Sequence, residues 1–207
     1  SGRSDISVAN IVGSNIFNLG FILGGCAALV PIKTSRPLVY RDGLFLIGVT
    51  VMLLAFIEDL TITRWEGITT MVLLVAYMGI LFWQRVPMEE GDHTGQATWK
   101  DLPLGLGGLG LILGGAHILV ECATVLAKIG GMSDWAIGVT IVAAGTSAPE
   151  LVTAMSAVLK GRHGISAGTL IGSDLYNLLG VLGLASFIHP LTVSESGQGS
   201  VMLLVGM

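Results

Sequence analysis

Charge is what this sequence has least of. Of its 207 residues, 12% are Asp, Glu, Lys or Arg, about half the share usual in a soluble domain. No segment joins a basic patch to interleaved aromatics, which argues against nucleic acid as a partner. Cysteine is scarce too: Cys26 and Cys122 both sit inside apolar runs and read as small packing residues, not a disulfide or metal pair. The chain opens on "SGRSD" with no initiator Met and no secretory n-region, so no targeting peptide is visible. It ends on "SVMLLVGM", an apolar run shorter than the roughly 20 residues a bilayer crossing needs. The expectation is a fragment with pieces missing at both ends.

What fills the chain instead is apolar: 52% hydrophobic residues and 30 glycines, a composition suited to helices that approach closely within lipid. Runs of spanning length lie at 6–30, 38–57, 65–85, 102–128, 134–159 and 165–188, with a partial seventh from 198. In lipid every backbone polar group must be satisfied internally, and continuous runs of this length specify helices, not a barrel. The one long polar connection, "RVPMEEGDHTGQATWKD" at 85–101, divides the chain in two. Loops alternate sides, so Lys33, Arg36, Arg41, Arg85, Lys100, Lys160 and Arg162 share one side, leaving Arg3, Arg64 and Lys128 on the other. The side richer in Lys and Arg is expected to be cytoplasmic, which puts the 85–101 loop there and Ser1 outside.

One phrase occurs twice. "IVGSNIFN" at 11–18 and "LIGSDLYN" at 170–177 align at an offset of 159, and the register extends outward to give 12 identities over the 35 pairs from 1/160 to 35/194. Leu and Gly matches come easily in membrane composition; Gly2-Arg3 with Gly161-Arg162, Ser7 with Ser166, Asn18 with Asn177 and Pro31 with Pro190 do not. The copies lie five spans apart, an odd number, so they cross the bilayer in opposite directions. Inverted repeats of this kind build many secondary transporters, with the substrate site near the midplane where the repeats meet.

Between the copies, the span at 134–159 carries "GTSAPELVTA". On a helix, Thr146, Ser147 and Glu150 share a face. Pro149 cannot donate to the carbonyl of Gly145, which predicts a kink, and broken backbone at membrane depth is tolerated where it faces protein or a watery cavity. Two hydroxyls, a freed carbonyl and a carboxylate are all oxygen ligands, the set preferred by hard cations such as Na⁺ and Ca²⁺. Glu150, Asn18 and Asn177 all fall near the middle of their spans. A carboxylate at that depth costs about 2.5–3.5 kcal/mol on insertion scales, which makes it a functional candidate by default. Polar glue between helices is the plainer reading for Ser14, Asn18, Ser173 and Asn177 taken singly; their recurrence at one i, i+4 spacing favours ligation.

"GTSAPELVTA", with "GSNIFN" and "GSDLYNLLGVLG", resembles the α-repeats of the cation/Ca²⁺ exchanger superfamily, above all its bacterial and archaeal Na⁺/Ca²⁺ antiporters. The resemblance implies an all-α polytopic membrane protein of ten helices in two inverted halves of five, the chain running from the third helix into the ninth. On that scheme residues 1–84 complete the first half, with the second helix of its α-repeat at 6–30; 85–101 is the cytoplasmic linker; and 102–207 is a truncated second half with its α-repeat at 134–188. The resemblance further implies Na⁺/Ca²⁺ exchange by alternating access across the inner membrane of a prokaryote, no cofactor and no catalysis. The ions and the bilayer are its only implied partners. Glu150 then resembles the ligand shared by Ca²⁺ and Na⁺, Thr146 and Ser147 the hydroxyl ligands, and Ala143 the source of a backbone carbonyl. Ser14, Asn18, Ser173 and Asn177 resemble the side ligands, and the span at 102–128 the long tilted helix that slides. The offset places a first Gly-Thr-Ser-x-Pro-Glu glutamate about ten residues upstream of Ser1. Two glutamates are neutralised by one Ca²⁺ or by two Na⁺, the basis for competition between the ions.

Other residues are open to two readings. Asp174 is acidic and near mid-membrane, which suits an auxiliary cation or proton role, but its repeat mate is the neutral Asn15. His117 and Glu121 stand at i, i+4, as a proton relay or as a pair snorkelling toward the interface. Asp in place of Asn18 or Asn177 in some family members leaves the Na⁺ count and any K⁺ requirement open. A H⁺/Ca²⁺ exchanger of the same fold is the near alternative, and a passive channel another. The distant one is an intramembrane serine hydrolase with Ser147 as nucleophile and His117 as base, although "GTSAP" does not satisfy G-x-S-x-G.

Overall fold

The computed structural model describes residues 2–84, 99 and 101–207. Most of the linker expected at 85–101 therefore lies outside the described residues. Eight helices and two very short strands follow the apolar runs closely. Helix α1 runs through Gly2–Ile16, a π-helical stretch Phe17–Leu23, and Gly24–Leu29; it ends just before Pro31. Helix α2 (Leu38–Phe56) begins with a second π-helical stretch. Strand β1 (Thr61–Ile62) leads into α3 (Arg64–Trp83), whose start is locked by a capping box between Thr63 and Glu66. Helix α4 is Asp101–Ile129, and Ser133 caps the next helix through the amide of Ala136.

The span holding "GTSAPE" is broken into α5 (Asp134–Thr146) and α6 (Ala148–Leu159), which meet at 49°. The break falls at Ser147, with φ −89° and ψ 8°, two residues before the proline that removes the ladder donor. Helix α7 (163–188) again contains a π-helical stretch, Tyr176–Val181, and is followed by strand β2 (Leu191–Thr192) and α8 (Glu195–Val205). Among the described residues, five unbroken helices are long and apolar enough to cross a membrane, six with the bent pair.

Helix α1 is the hub. It packs against α5 on one side and against α7 and α8 on others, and Val8, Ala9, Val12 and Leu175, Leu178, Leu179 form the centre of the main core. Helices in lipid gain little from apolar burial against each other, so close approach through small residues holds them. Gly67 of α3 and Gly183 of α7 make such a contact: a Cβ on Gly67 would meet the Gly183 carbonyl at 2.7 Å. The antiparallel pairing of β1 with β2 puts the α2–α3 and α7–α8 connections on one side of the membrane, as the span count requires. Helix α4 lies at the periphery, packed on α5 and α6 through the contact of Val120 with Gly145. None of its most apolar 18-residue stretch is buried, and at about 1.5 Å per residue its 29 residues exceed a bilayer's hydrocarbon thickness of about 30 Å.

Candidate cation-binding site

The two copies of the repeated phrase meet at the centre of the molecule. Asn18 Nδ2 of α1 donates to Asp174 Oδ1 of α7 at 2.8 Å, and Asn177 Nδ2 of α7 donates to Asn15 Oδ1 of α1 at 3.1 Å. Under the offset of 159 each bond is the image of the other. Moving from 15/177 to 18/174, one number climbs by three as the other falls by three, so the helices run antiparallel. Asn15 Nδ2 adds a bond to the backbone carbonyl of Asp174 at 3.2 Å. Asn15, Asn18 and Asp174 are all fully buried. The π-helical stretches begin at Phe17 and Tyr176, again mates under the offset, so each joint sits where its helix widens. Such wide turns are rare and concentrate at functional sites.

The broken span flanks this joint and reaches both copies. Thr146, at the last turn of α5, donates to Asn10 Oδ1 at 3.0 Å or to the Ala143 carbonyl at 3.1 Å, and its hydroxyl lies 3.0 Å from that of Ser14. Glu150, in the first turn of α6, turns the other way: Ser173 Oγ of α7 donates to its Oε1 at 3.0 Å. Its Oε2 is buried with no hydrogen-bond partner. Ser147 at the break is buried. The expected common face for Thr146, Ser147 and Glu150 is thus divided by the break, which sends the hydroxyl of Thr146 to α1 and the carboxylate to α7. Ala143 is fully buried, and its carbonyl also accepts the amide of Ser147 at 3.0 Å.

The candidate cation ligands singled out in the sequence fall in this region, Ser14 with Thr146, Asn18 with Asp174, Ser173 with Glu150 and Asn177 with Asn15. Two partners, Asn10 and Asn15, went unnoticed there. Asn10 lies one turn before Ser14 on α1, and a polar row Asn10, Ser14, Asn18 at i, i+4, i+8 spacing was the available signal. His117 does not approach Ser147 by any hydrogen bond; its Nε2 lies 3.7 Å from Glu121 Oε1 on an exposed face of α4. Among the described residues, every polar side chain in the centre carries a hydroxyl, a carboxylate or an amide, and no thiol or imidazole takes part.

A family-wide sequence profile described as "Sodium/calcium exchanger protein" matches residues 1–83 and 102–207. The chain belongs to the sodium/calcium exchanger family. Among its relatives, the putative antiporter CaxA of Alkalimonas amylolytica is 35% identical over 96% of this chain and 65% of its own length. The inner membrane protein YrbG of Escherichia coli is 32% identical, over 99% of this chain and 68% of its own. The solved sodium-calcium exchanger NCX_Mj superposes with a TM-score of 0.74 at 27% identity, covering 98% of this chain and 67% of that one. The chain therefore spans about two thirds of the length of the proteins it matches. Its fold is the exchanger fold, the protein is an integral membrane protein of a transporter family, and the hydrolase reading falls away.

Proposed function

We propose that the protein is a secondary active antiporter exchanging Na⁺ for Ca²⁺ by alternating access, with Glu150 as the carboxylate for which both ions compete. The observation that carries this reading is the half-satisfied Glu150: Ser173 holds one oxygen, and the other is buried without a partner. A buried carboxylate oxygen left open is strongly unfavourable unless a cation completes it. Thr146, Ser147, Ser14 and Ser173 supply hydroxyl oxygens around it, Ala143 a backbone carbonyl, and Asn18 and Asn177 amide oxygens. None of these is a good ligand for zinc, and all suit Na⁺ and Ca²⁺.

A second carboxylate completes the charge balance. Gly13 of α1 is covered by α5: a Cβ there would meet the Val139 carbonyl at 2.5 Å. Its mate Gly172 has nothing within 4 Å. A counterpart of α5 and α6 in the first half, carrying its own Gly-Thr-Ser-x-Pro-Glu, fits that open position and brings its glutamate to the site. Two carboxylates are then neutralised by one Ca²⁺ or two Na⁺, and either load favours reorientation over the empty site. In this arrangement residues 1–84 belong to the first half, 85–101 link the halves on the cytoplasmic side of the inner membrane, and 102–207 belong to the second. The long, sparsely packed α4 is the element that slides.

The test is ⁴⁵Ca²⁺ uptake into vesicles of the full-length protein, with and without an outward-directed Na⁺ gradient, comparing wild type with Glu150→Gln. The expected result is Na⁺-driven uptake by wild type alone. Uptake that ignores Na⁺ but follows a pH gradient selects the H⁺/Ca²⁺ exchanger, and equal uptake in every condition rejects the proposal.

A further inference from the structure

We propose that Asn10 of α1 is a positioning residue of the cation site, the acceptor that takes the proton of Thr146 and so leaves neighbouring oxygen lone pairs open to the ion. This rests on the antiport reading above and adds to it a residue outside the repeated ligand set: the mate of Asn10 under the offset of 159 is Thr169. Close packing brings the group together. A Cβ on Gly13 would meet the Val139 carbonyl at 2.5 Å and the Ala143 Cβ at 2.8 Å, so the bare glycine lets α5 settle on α1. Asn10 and Ser14, to either side of that glycine, then both reach Thr146. Its hydroxyl oxygen lies 3.0 Å from Asn10 Oδ1 and 3.0 Å from Ser14 Oγ.

Protons and lone pairs decide what each oxygen has left for a cation. A hydroxyl has one proton to give and two lone pairs; a carbonyl has two lone pairs and nothing to give. The Ala143 carbonyl already accepts the Ser147 amide at 3.0 Å. If it also took the Thr146 proton, at 3.1 Å, it would have no lone pair left for an ion. If Ser14 took that proton instead, one of its lone pairs would be lost and its own proton would need another acceptor. With the proton on Asn10 Oδ1, the Ala143 carbonyl keeps one lone pair. The Ser14 proton then fills the contact with Thr146, so Ser14 keeps both of its lone pairs and Thr146 keeps one. Asn10 thus holds three candidate ligand oxygens open at once without having to touch the ion. Groups that act on a metal through its ligands set affinity by about 10- to 100-fold.

The experiment varies Ca²⁺ in Na⁺-driven ⁴⁵Ca²⁺ uptake into vesicles of the full-length protein, reading half-saturating Ca²⁺ and maximal rate separately. Asn10→Leu, which keeps the bulk and removes the acceptor, is expected to raise half-saturating Ca²⁺ by about 10- to 100-fold, with the maximal rate retained. Asn10→Asp keeps an acceptor oxygen and is expected at or below the wild-type value. Adding Asn10→Leu to Thr146→Val is expected to cost nothing further, because the proton to be placed is already gone. Unchanged half-saturation in Asn10→Leu, equal losses in the Leu and Asp variants, or full additivity in the double variant overturns the proposal. Where Asn10→Leu does not elute as a folded species, Asn10→Ala takes its place with the same expected shift and the same overturning results. Failure of the underlying antiport reading shows separately, as wild-type uptake that ignores the Na⁺ gradient or as exchange that survives Glu150→Gln.

Discussion

Helices α1 and α7 are one sequence written in two orientations, and what differs between them is more instructive than what they share. Both widen into a π-helical stretch at the equivalent residue and both carry Ser and Asn one turn apart. Their surroundings part company at three mate pairs. Gly13 is pressed against α5 and Gly172 faces open space. Ser7 is exposed, whereas Ser166 is fully buried with an unpartnered hydroxyl. Asn15 is neutral and Asp174 acidic. An inverted repeat supplies the same scaffold twice; an exchanger needs the two copies inequivalent at any instant, so that one side of the site is open and the other shut. The openness at Gly172 is the position offered to a counterpart of α5; the acidic Asp174 opposite the neutral Asn15 is a difference of the copies themselves.

The largest expected effect removes the one described carboxylate that has an open oxygen at the break. Glu150→Gln in full-length protein should cut Ca²⁺ transport by about 100-fold or more, as loss of a charged ligand from a buried site does; Ser173→Ala, which leaves the charge in place, should have a smaller effect in the same flux assay. Next comes the covered glycine. A side chain at Gly13 meets backbone at 2.5 Å, so Gly13→Ala should destabilise the fold by about 1–3 kcal/mol, read as a lower melting temperature in detergent. If a counterpart of α5 covers Gly172 in the full-length protein, Gly172→Ala matches that loss; a neutral Gly172→Ala leaves the face open and removes the proposed second glutamate helix.

A finer cut compares the two joints. Asn18→Ala strips a carboxylate of its only hydrogen bond and should cost about 1.5–3 kcal/mol, against about 0.5–1.5 for Asn177→Ala, whose acceptor is a neutral amide. Equal melting shifts for the two would mean that the charge of Asp174 is satisfied some other way. The smallest effect concerns access. Ser7→Cys should react with a water-soluble thiol reagent faster than Ser166→Cys, and a switch of transported ion that reverses the order would identify the pair as opposite gates.

Much of the fold was legible in the sequence because lipid enforces it. Each spanning run had to close its own hydrogen bonds, and the observed helix ends fall within two residues of the apolar boundaries except at two starts, Gly2 against 6 and Glu195 against 198. The break near Pro149 was legible for the same reason, since a missing donor has one local consequence. What could not be read was partnership. Asn15 and Asn18 are three apart on one helix face, and which of them meets Asp174 and which meets Asn177 depends on how two helices cross. Thr146 and Glu150 were expected on one face because an unbroken helix puts them there, and a change of direction at Ser147 separates them. The neutral mate of Asp174 argued for a minor role when only letters were compared; its Oδ2, buried with no partner, appears only in three dimensions.

A π-helical stretch holds more residues per turn than the α-helix around it, and each copy of the repeat begins one at the same aligned position. An insertion arising independently in the two halves would have had no reason to choose matching residues. Matched widened turns are what duplication of one unit that already carried the turn leaves behind, and Asn18 and Asn177 hold the two inverted copies together at those turns.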